Sequence, residues 1–292
     1  DLVQMQIESS QGIALKHQQK DIKANGYAIE ARLYAEDPSN NFLPVTGTIF
    51  QFDMPKIDGL RIESSIESGS AITIHYDPMI AKIIIHDKDR ESAQRKLKYV
   101  LSNMNCLGIT TNQDFLLNIC KNTDFENGKY NTHFIDENPA LINENKATEK
   151  LNLAALSAVL FDWQKREDKR TLLNSIPSGW RSNFYIPQAE TFLYKEDSIK
   201  VTYRCVKSNF DFTINNCSYN AQIVSSSQNR IQIEINGIQH EFSIIKNGTT
   251  FFINNETTGN TVLNQQERFP EIKKEKQKGT YESPMPSQVI KL

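Results

Sequence analysis

Cysteine is scarce in this chain of 292 residues: only Cys106, Cys120, Cys205 and Cys217, with no CxxC pair and no histidine at ligand spacing. That scatter argues against a disulfide framework and a zinc ribbon, and leaves buried free thiols as the expectation. Long hydrophobic runs are missing too. A helix that crosses a bilayer needs about eighteen or more consecutive apolar residues, whereas the apolar run from Ile80 to Ile85 is strand-sized, so no membrane partner is expected. Neither sign of charge dominates: 33 Lys and Arg against 35 Asp and Glu leave a net charge of -2. Without a basic field, nucleic acid is not an expected partner. Also missing are a glycine-rich phosphate loop, a lysine pair placed for nucleotide phosphates and a carboxylate-rich Mg²⁺ site. Sequons at Asn216, Asn247 and Asn255 arise readily by chance in an Asn-rich chain.

What is present divides in two. In the first half, Leu2 to Ile13 reads as the end of a helix, and Tyr27 to Leu33 alternates as a strand, with Ala28, Glu30 and Arg32 on one face. Strand signals resume at Thr48 to Phe52, Leu60 to Ser64, Ala71 to His75 and Met79 to Ile85. Beyond Asp89, Ala93, Leu97, Val100, Leu101 and Met104 fall on one helical stripe. A second helix is expected from Thr111 or Asn112 as N-cap, turning Phe115, Leu116 and Ile119 inward. This unit reads as α+β and antiparallel, ending near Asn138.

The second half begins with a helix from Ala147 to Lys165 that leaves almost no polar side, from Leu151 through Leu160 and Phe161 to Trp163. An all-round apolar helix in water must be surrounded. Six short alternating strands follow, Ile199 to Val206, Phe210 to Ile214, Tyr219 to Val224, Ile231 to Ile235, Glu241 to Ile245 and Thr250 to Ile253. Asn236-Gly237 and Asn247-Gly248 sit between them as hairpin turns. An antiparallel β-barrel around one central helix satisfies both facts; a helix lying on an open sheet is the alternative. Arg268 to Lys278, RFPEIKKEKQK, lacks apolar periodicity and reads as a solvated linker.

Three segments carry a resemblance: AIEARLYAEDPS at Ala28 to Ser39, then FLPVTG, then HYDPMIAKI at His75 to Ile83. In that order and spacing they closely resemble the C-terminal part of the biotin carboxylase domain of biotin-dependent acyl-CoA carboxylases. AEDPSNNFLPV, TNQDFLLNI and Gly179-Trp180-Arg181 most resemble the 3-methylcrotonyl-CoA carboxylase α-subunit branch; propionyl-, acetyl- and geranyl-CoA carboxylases are the alternatives, since the acyl group is chosen on another subunit. The resemblance implies four parts. Residues 1–138 would be the biotin carboxylase C-terminal region without its ATP-grasp half, and 139–267 a BT-like helix-in-barrel assembly domain. Residues 268–282 would be a linker, and 283–292 the start of a biotinyl carrier domain, on the pattern Ser283-Pro284-Met285-Pro286. Both ends then read as cuts.

The implied reaction is ATP-dependent carboxylation of biotin by bicarbonate, a ligase activity. The implied cofactors are biotin on a lysine beyond Leu292, and ATP with Mg²⁺ or Mn²⁺ held mainly by sequence before Asp1, so this stretch alone would be inactive. The implied partners are a carboxyltransferase β subunit docked through the BT-like domain, the carrier domain and bicarbonate, in a hetero-oligomer of the bacterial cytoplasm or the mitochondrial matrix. A different class of reading is a non-catalytic assembly module with the barrel binding a protein.

Arg61 is the catalytic candidate. In the family a V/L-R-x-E-S/T motif places an arginine beside the reacting ureido ring, and Leu60-Arg61-Ile62-Glu63-Ser64 matches it. Biotin's N1 must lose a proton, and the negative charge that gathers on the ureido oxygen suits a permanently charged, planar, multidonor group, which can also hold bicarbonate. From composition alone, Arg61 paired with Glu63 or Glu67 would be a surface ion pair. Similarly, Glu30 and Arg32 read as an internal ion pair rather than as catalytic groups. Asn131-Thr132-His133-Phe134 resembles a segment that, in single-domain biotin carboxylases, returns to the adenine pocket, which makes His133 a candidate adenine contact; a surface histidine is the plainer reading. Tyr76-Asp77-Pro78-Met79 resembles the turn that orders the strand behind the active site, with Asp77 bonding nearby amides. The family's usual Gly-His-Ala before the first strand is Gly26-Tyr27-Ala28 here.

Overall fold

A computed structural model describes residues 2–142, 147–172, 176, 178, 180, 182–183, 185–206 and 208–267. The linker, Gly179, Arg181 and the carrier-like tail from Ser283 lie outside the described residues.

The first half is organised by a three-stranded antiparallel sheet of β1 (Tyr27–Tyr34), β2 (Leu60–Ser64) and β3 (Met79–Asp87), with β3 in the middle. Pairings Ala31↔Ile83 and Leu33↔Ala81 set one face of this sheet, and all four residues are buried. Helix α1 (Arg90–Asn103) covers that face with Ala93, Leu97, Val100 and Leu101. The helix starts where it does because the Asp89 carboxylate accepts from the Ser92 amide at 2.8 Å, closing an N-cap. Helix α2 (Gln113–Lys121) follows with Asn112 at its N-cap position, as expected, but the Asn112 side chain makes no capping bond. Its side chain instead accepts from Tyr34 N at 2.9 Å and donates to Arg32 O at 3.1 Å, because the edge of β1 passes close by and needs partners more than the helix start does. The buried set on α2 also differs from expectation. Phe115, Leu117 and Cys120 are buried while Leu116 and Ile119 are half-buried, since the helix is wedged between the sheet core and a smaller cluster of Phe134 and Leu141.

Two expected strands are shorter than their patterns suggested. Thr48 to Phe52 splits into Gly47–Thr48 and Gln51–Asp53, which pair with different partners, Ala71–Ile72 and Asn105–Leu107. Ala71 to His75 ends at Ile72. Beyond it the chain turns, and Asp77 accepts from Met79 N at 2.7 Å, the bond expected of it.

In the second half helix α3 (Thr148–Lys169) runs through a closed antiparallel barrel of eight strands. Every residue from Asn152 to Phe161 is buried, which is what an all-round apolar helix requires. The barrel, not the open sheet, is the observed solution. Its strands are β4 (Gln188–Tyr194), β5 (Asp197–Val206), β6 (Asn209–Ile214), β7 (Cys217–Ser226), β8 (Arg230–Ile235), β9 (Ile238–Asn247), β10 (Thr250–Asn254) and β11 (Thr261–Gln265). Alternation puts Phe210, Phe212 and Ile214, then Ile231, Ile233 and Ile235, against the helix. Strands β4 and β11 were not evident in the sequence, and they are the pair that closes the barrel, through Phe192↔Gln265 and Leu193↔Asn264. Asn236 and Gly237 both take positive φ, 51° and 83°, as a primed two-residue turn demands. The later hairpin is displaced by one residue: Asn247 pairs with Thr250, so the loop is Gly248-Thr249.

Polar groups close both ends of the helix. At one end Asn152 donates to the Tyr219 hydroxyl at 3.0 Å and accepts from Asn215 at 2.8 Å. At the other, Asp162 takes Lys246 at 2.7 Å and Arg166 at 2.5 Å, and Arg166 reaches Glu190 at 3.8 Å. Burial pushes Glu190 above the usual carboxylate range, against the pull of Arg166.

The halves meet through buried polar contacts. Asn254 of β10 donates to Met104 O at 2.7 Å and to Asn105 Oδ1 at 3.0 Å. Asn260 donates to Gln113 Oε1 at 2.8 Å, and Phe50 packs on Phe252 with ring centroids 5.8 Å apart.

Candidate active-site face

Because α1 covers one face of the small sheet, the other is open. Cross-strand register decides what it carries. Arg61 stands opposite Ile84, which stands opposite Glu30; Glu63 stands opposite Lys82, which stands opposite Arg32. Directly paired residues point to the same side, so Glu30, Arg32, Arg61, Glu63 and Lys82 share the open face. Three cations against two carboxylates leave that group net positive.

Arg61 is therefore held on an edge strand with its side chain 72% exposed, neither turned inward nor packed away. Its Nη2 donates to Glu63 Oε1. The other carboxylate oxygen of Glu63 lies 3.9 Å from Lys82 Nζ. On the far strand Arg32 Nε donates to Glu30 Oε1 at 2.9 Å, the ion pair expected from strand alternation, and that hydrogen bond raises the Arg32 pKa further. The arrangement can hold an anion or a developing oxyanion beside a planar, multidonor guanidinium. Lys82 was missed in the sequence, where it reads as one polar residue in an apolar strand; only the register places it opposite Glu63.

His133 is not on this face. It precedes the short helix Phe134–Glu137, and its exposed ring lies 3.8 Å from Asp136. The segment leading to it is tied down by Arg90, whose guanidinium donates to Phe125 O and Glu126 O, both at 2.6 Å. The same group sits 5.5 Å from the Phe125 and Tyr130 ring centroids and 6.0 Å from that of Tyr27. Tyr27, the departure from the usual histidine, thus gives Arg90 an aromatic face. Glu36, near Asp77, is pushed up by burial and then by that second carboxylate. Among the described residues no group of three or more His, Cys, Asp or Glu is placed to hold a metal ion, and no helix is long and apolar enough to cross a membrane.

Residues 30–137 match the family model of the biotin carboxylase C-terminal domain, and this part of the chain belongs to that family. Among curated relatives, the chain is 42% identical over 138 residues to the mitochondrial methylcrotonoyl-CoA carboxylase subunit alpha of Rattus norvegicus, covering 47% of this chain and 19% of that one. The Dictyostelium discoideum protein of the same name is 31% identical over 232 residues, 74% of this chain and 33% of its own. The mitochondrial propionyl-CoA carboxylase alpha chain of Sus scrofa is 39% identical over 166 residues, 55% of this chain and 23% of its own. The chain thus spans between about a fifth and a third of the length of these relatives.

Proposed function

We propose that this chain is part of the α subunit of a biotin-dependent acyl-CoA carboxylase of the 3-methylcrotonyl-CoA type, and that Arg61 is its catalytic residue in the carboxylation of biotin by bicarbonate. The observation that carries the reading is Arg61 itself: a fixed guanidinium on an open, net-positive sheet face within the family's L-R-x-E-S motif. Biotin, when bound, supplies the ureido nitrogen that accepts the carboxyl group. Arg61 would hold negative charge at the ureido oxygen and orient bicarbonate. The donor set fits that task, since a guanidinium paired on one edge keeps N–H groups on the other. ATP and Mg²⁺ or Mn²⁺ are a different matter. In this reading they are held mainly by an ATP-grasp part of the larger protein, and what residues 1–292 contribute is Arg61 and the sheet face around it. His133 is a proposed adenine contact within that larger protein.

The helix-filled barrel would be the BT-like domain that docks a carboxyltransferase β subunit, in a hetero-oligomer whose carrier domain brings biotin to each site. The match to Dictyostelium discoideum methylcrotonoyl-CoA carboxylase subunit alpha extends over 232 residues, well past the stretch matched by the family model, and this supports a shared second half. A propionyl-CoA carboxylase is the second reading, favoured by the similarity to the pig chain. Free thiols throughout suit the bacterial cytoplasm or the mitochondrial matrix.

The test is Arg61→Ala in the complete subunit, assayed by biotin-dependent carboxylation with labelled bicarbonate. Losing one charge-stabilising donor should cut turnover about a hundredfold or more with the fold intact; near-normal turnover overturns the assignment. Deleting residues 147–268 should abolish co-purification with the carboxyltransferase subunit, and retained binding would overturn the assembly role.

A further inference from the structure

We propose that Glu63, held by Lys82, is a positioning residue that aims the Arg61 guanidinium; the inference rests on the carboxylase reading above. Strand β2 is an edge strand bonded only to β3, and Arg61 is largely exposed, so packing does not fix its four side-chain torsions. Something else must. Residues two apart on a strand share a face, and Glu63 is the residue whose carboxylate accepts from Arg61 Nη2. The two oxygens of Glu63 divide their work: Oε1 takes Arg61, and Oε2 lies 3.9 Å from Lys82 Nζ. Lys82 is directly opposite Glu63 in the ladder, which brings the two side chains together without distortion.

Charge explains why a lysine is needed. A carboxylate bonded to Arg61 alone would cancel much of the positive field that an oxyanion requires. With Lys82 on the second oxygen, the trio of Arg61, Glu63 and Lys82 stays net positive while the guanidinium gains a fixed direction. Arg32, the next cation across the sheet, is already engaged by Glu30 at 2.9 Å and does not compete for Glu63. Such pairs are weak in water, but they strengthen where bound substrate displaces solvent, so the geometry is enforced when the reaction needs it.

The experiment uses the complete subunit with free biotin, ATP and bicarbonate, and compares Arg61→Ala, Glu63→Ala, Glu63→Gln and the double variant Arg61→Ala/Glu63→Ala. Misaiming one group should lower kcat on the order of tenfold in Glu63→Ala, with KM for ATP unchanged. Glu63→Gln, whose amide oxygen still accepts from Arg61, should recover part of that loss. In the double variant the loss should match that of Arg61→Ala alone, because Glu63 acts only through Arg61. If Arg61→Ala is inactive while Glu63→Ala turns over like the parent, or if the two losses multiply, the positioning role is wrong and the carboxylase reading stands. If Arg61→Ala keeps full activity, the reading and this inference fall together.

Discussion

Asn254 offers the sharpest test of how the two halves hold together. Its Nδ2 donates to the Met104 carbonyl at 2.7 Å and to Asn105 Oδ1 at 3.0 Å, and all three residues are buried. Truncation in Asn254→Ala removes both bonds, yet the two acceptors are not equally harmed. Met104 O still accepts from Gln113 Nε2 at 3.2 Å, so it keeps a partner. Asn105 Oδ1 loses the donor it receives across the seam. One buried acceptor left unmatched costs roughly 1–3 kcal/mol, and the expected destabilisation is therefore about 2 kcal/mol rather than twice that. For a chain of this size it corresponds to a fall in Tm of roughly 4–8 °C. Thermal unfolding followed by circular dichroism measures it directly. A double variant with Asn105→Ala should be less destabilised than the sum of the single changes, since removing the acceptor removes the orphan. A shift in Tm below about 1 °C for Asn254→Ala would refute the reasoning, because it would mean that water replaces the side chain and the seam is not a closed contact.

Leu156 lies fully buried on α3 inside the barrel, so Leu156→Ala should cost roughly 3–5 kcal/mol in a urea titration, and a loss under about 1 kcal/mol would contradict a packed interior. Burial raises Glu190 above its ordinary 4.5. The folded state therefore binds that proton more tightly than the unfolded chain, and the stability it contributes is present at acid pH and lost as pH rises through the raised value. Glu190→Gln should flatten that decline; a pH–stability curve that overlays the parent's would show the group to be solvated. Burial likewise pushes the Cys106 and Cys120 thiols up to about 12, so at pH 8 Ellman's reagent should react with exposed Cys217 and spare both until denaturant is added. Gly59 turns the chain into β2 at φ 83°, where an added Cβ would run into the His86 carbonyl. Gly59→Ala should thus destabilise by roughly 2 kcal/mol or more; an unchanged Tm would sink the argument.

The elements that could be read from sequence were those whose pattern is carried by side chains of one kind. The apolar stripe of α1, the apolar run of β3 and the strict alternation of β6 and β8 announce themselves because burial on one face enforces the period. Strands β4 and β11 do not, since Glu190 and Gln265 turn towards the ionic cluster at the helix end and break the alternation where the barrel closes. Asn112 marked the start of α2 correctly, but its side chain serves the neighbouring strand rather than the helix, a demand set by tertiary proximity alone. For the candidate site, the motif around Arg61 was legible, as was the Glu30–Arg32 pair, because both are local along one strand. Lys82 was not. Its role depends on which residue stands across from it, and the pairing of two strands separated by residues 65–78, with another short strand between them, is not carried by any local motif.

The closed ring of strands in the second half has a consequence for how any other molecule can engage it. Among the described residues every strand of the barrel is bonded on both sides, so these strands offer no open edge onto which an incoming chain could lay a ninth strand, and the same closure protects the barrel from polymerising edge to edge. Recognition must be written in side chains and loop shape, where single substitutions can retune it without touching the ladder beneath.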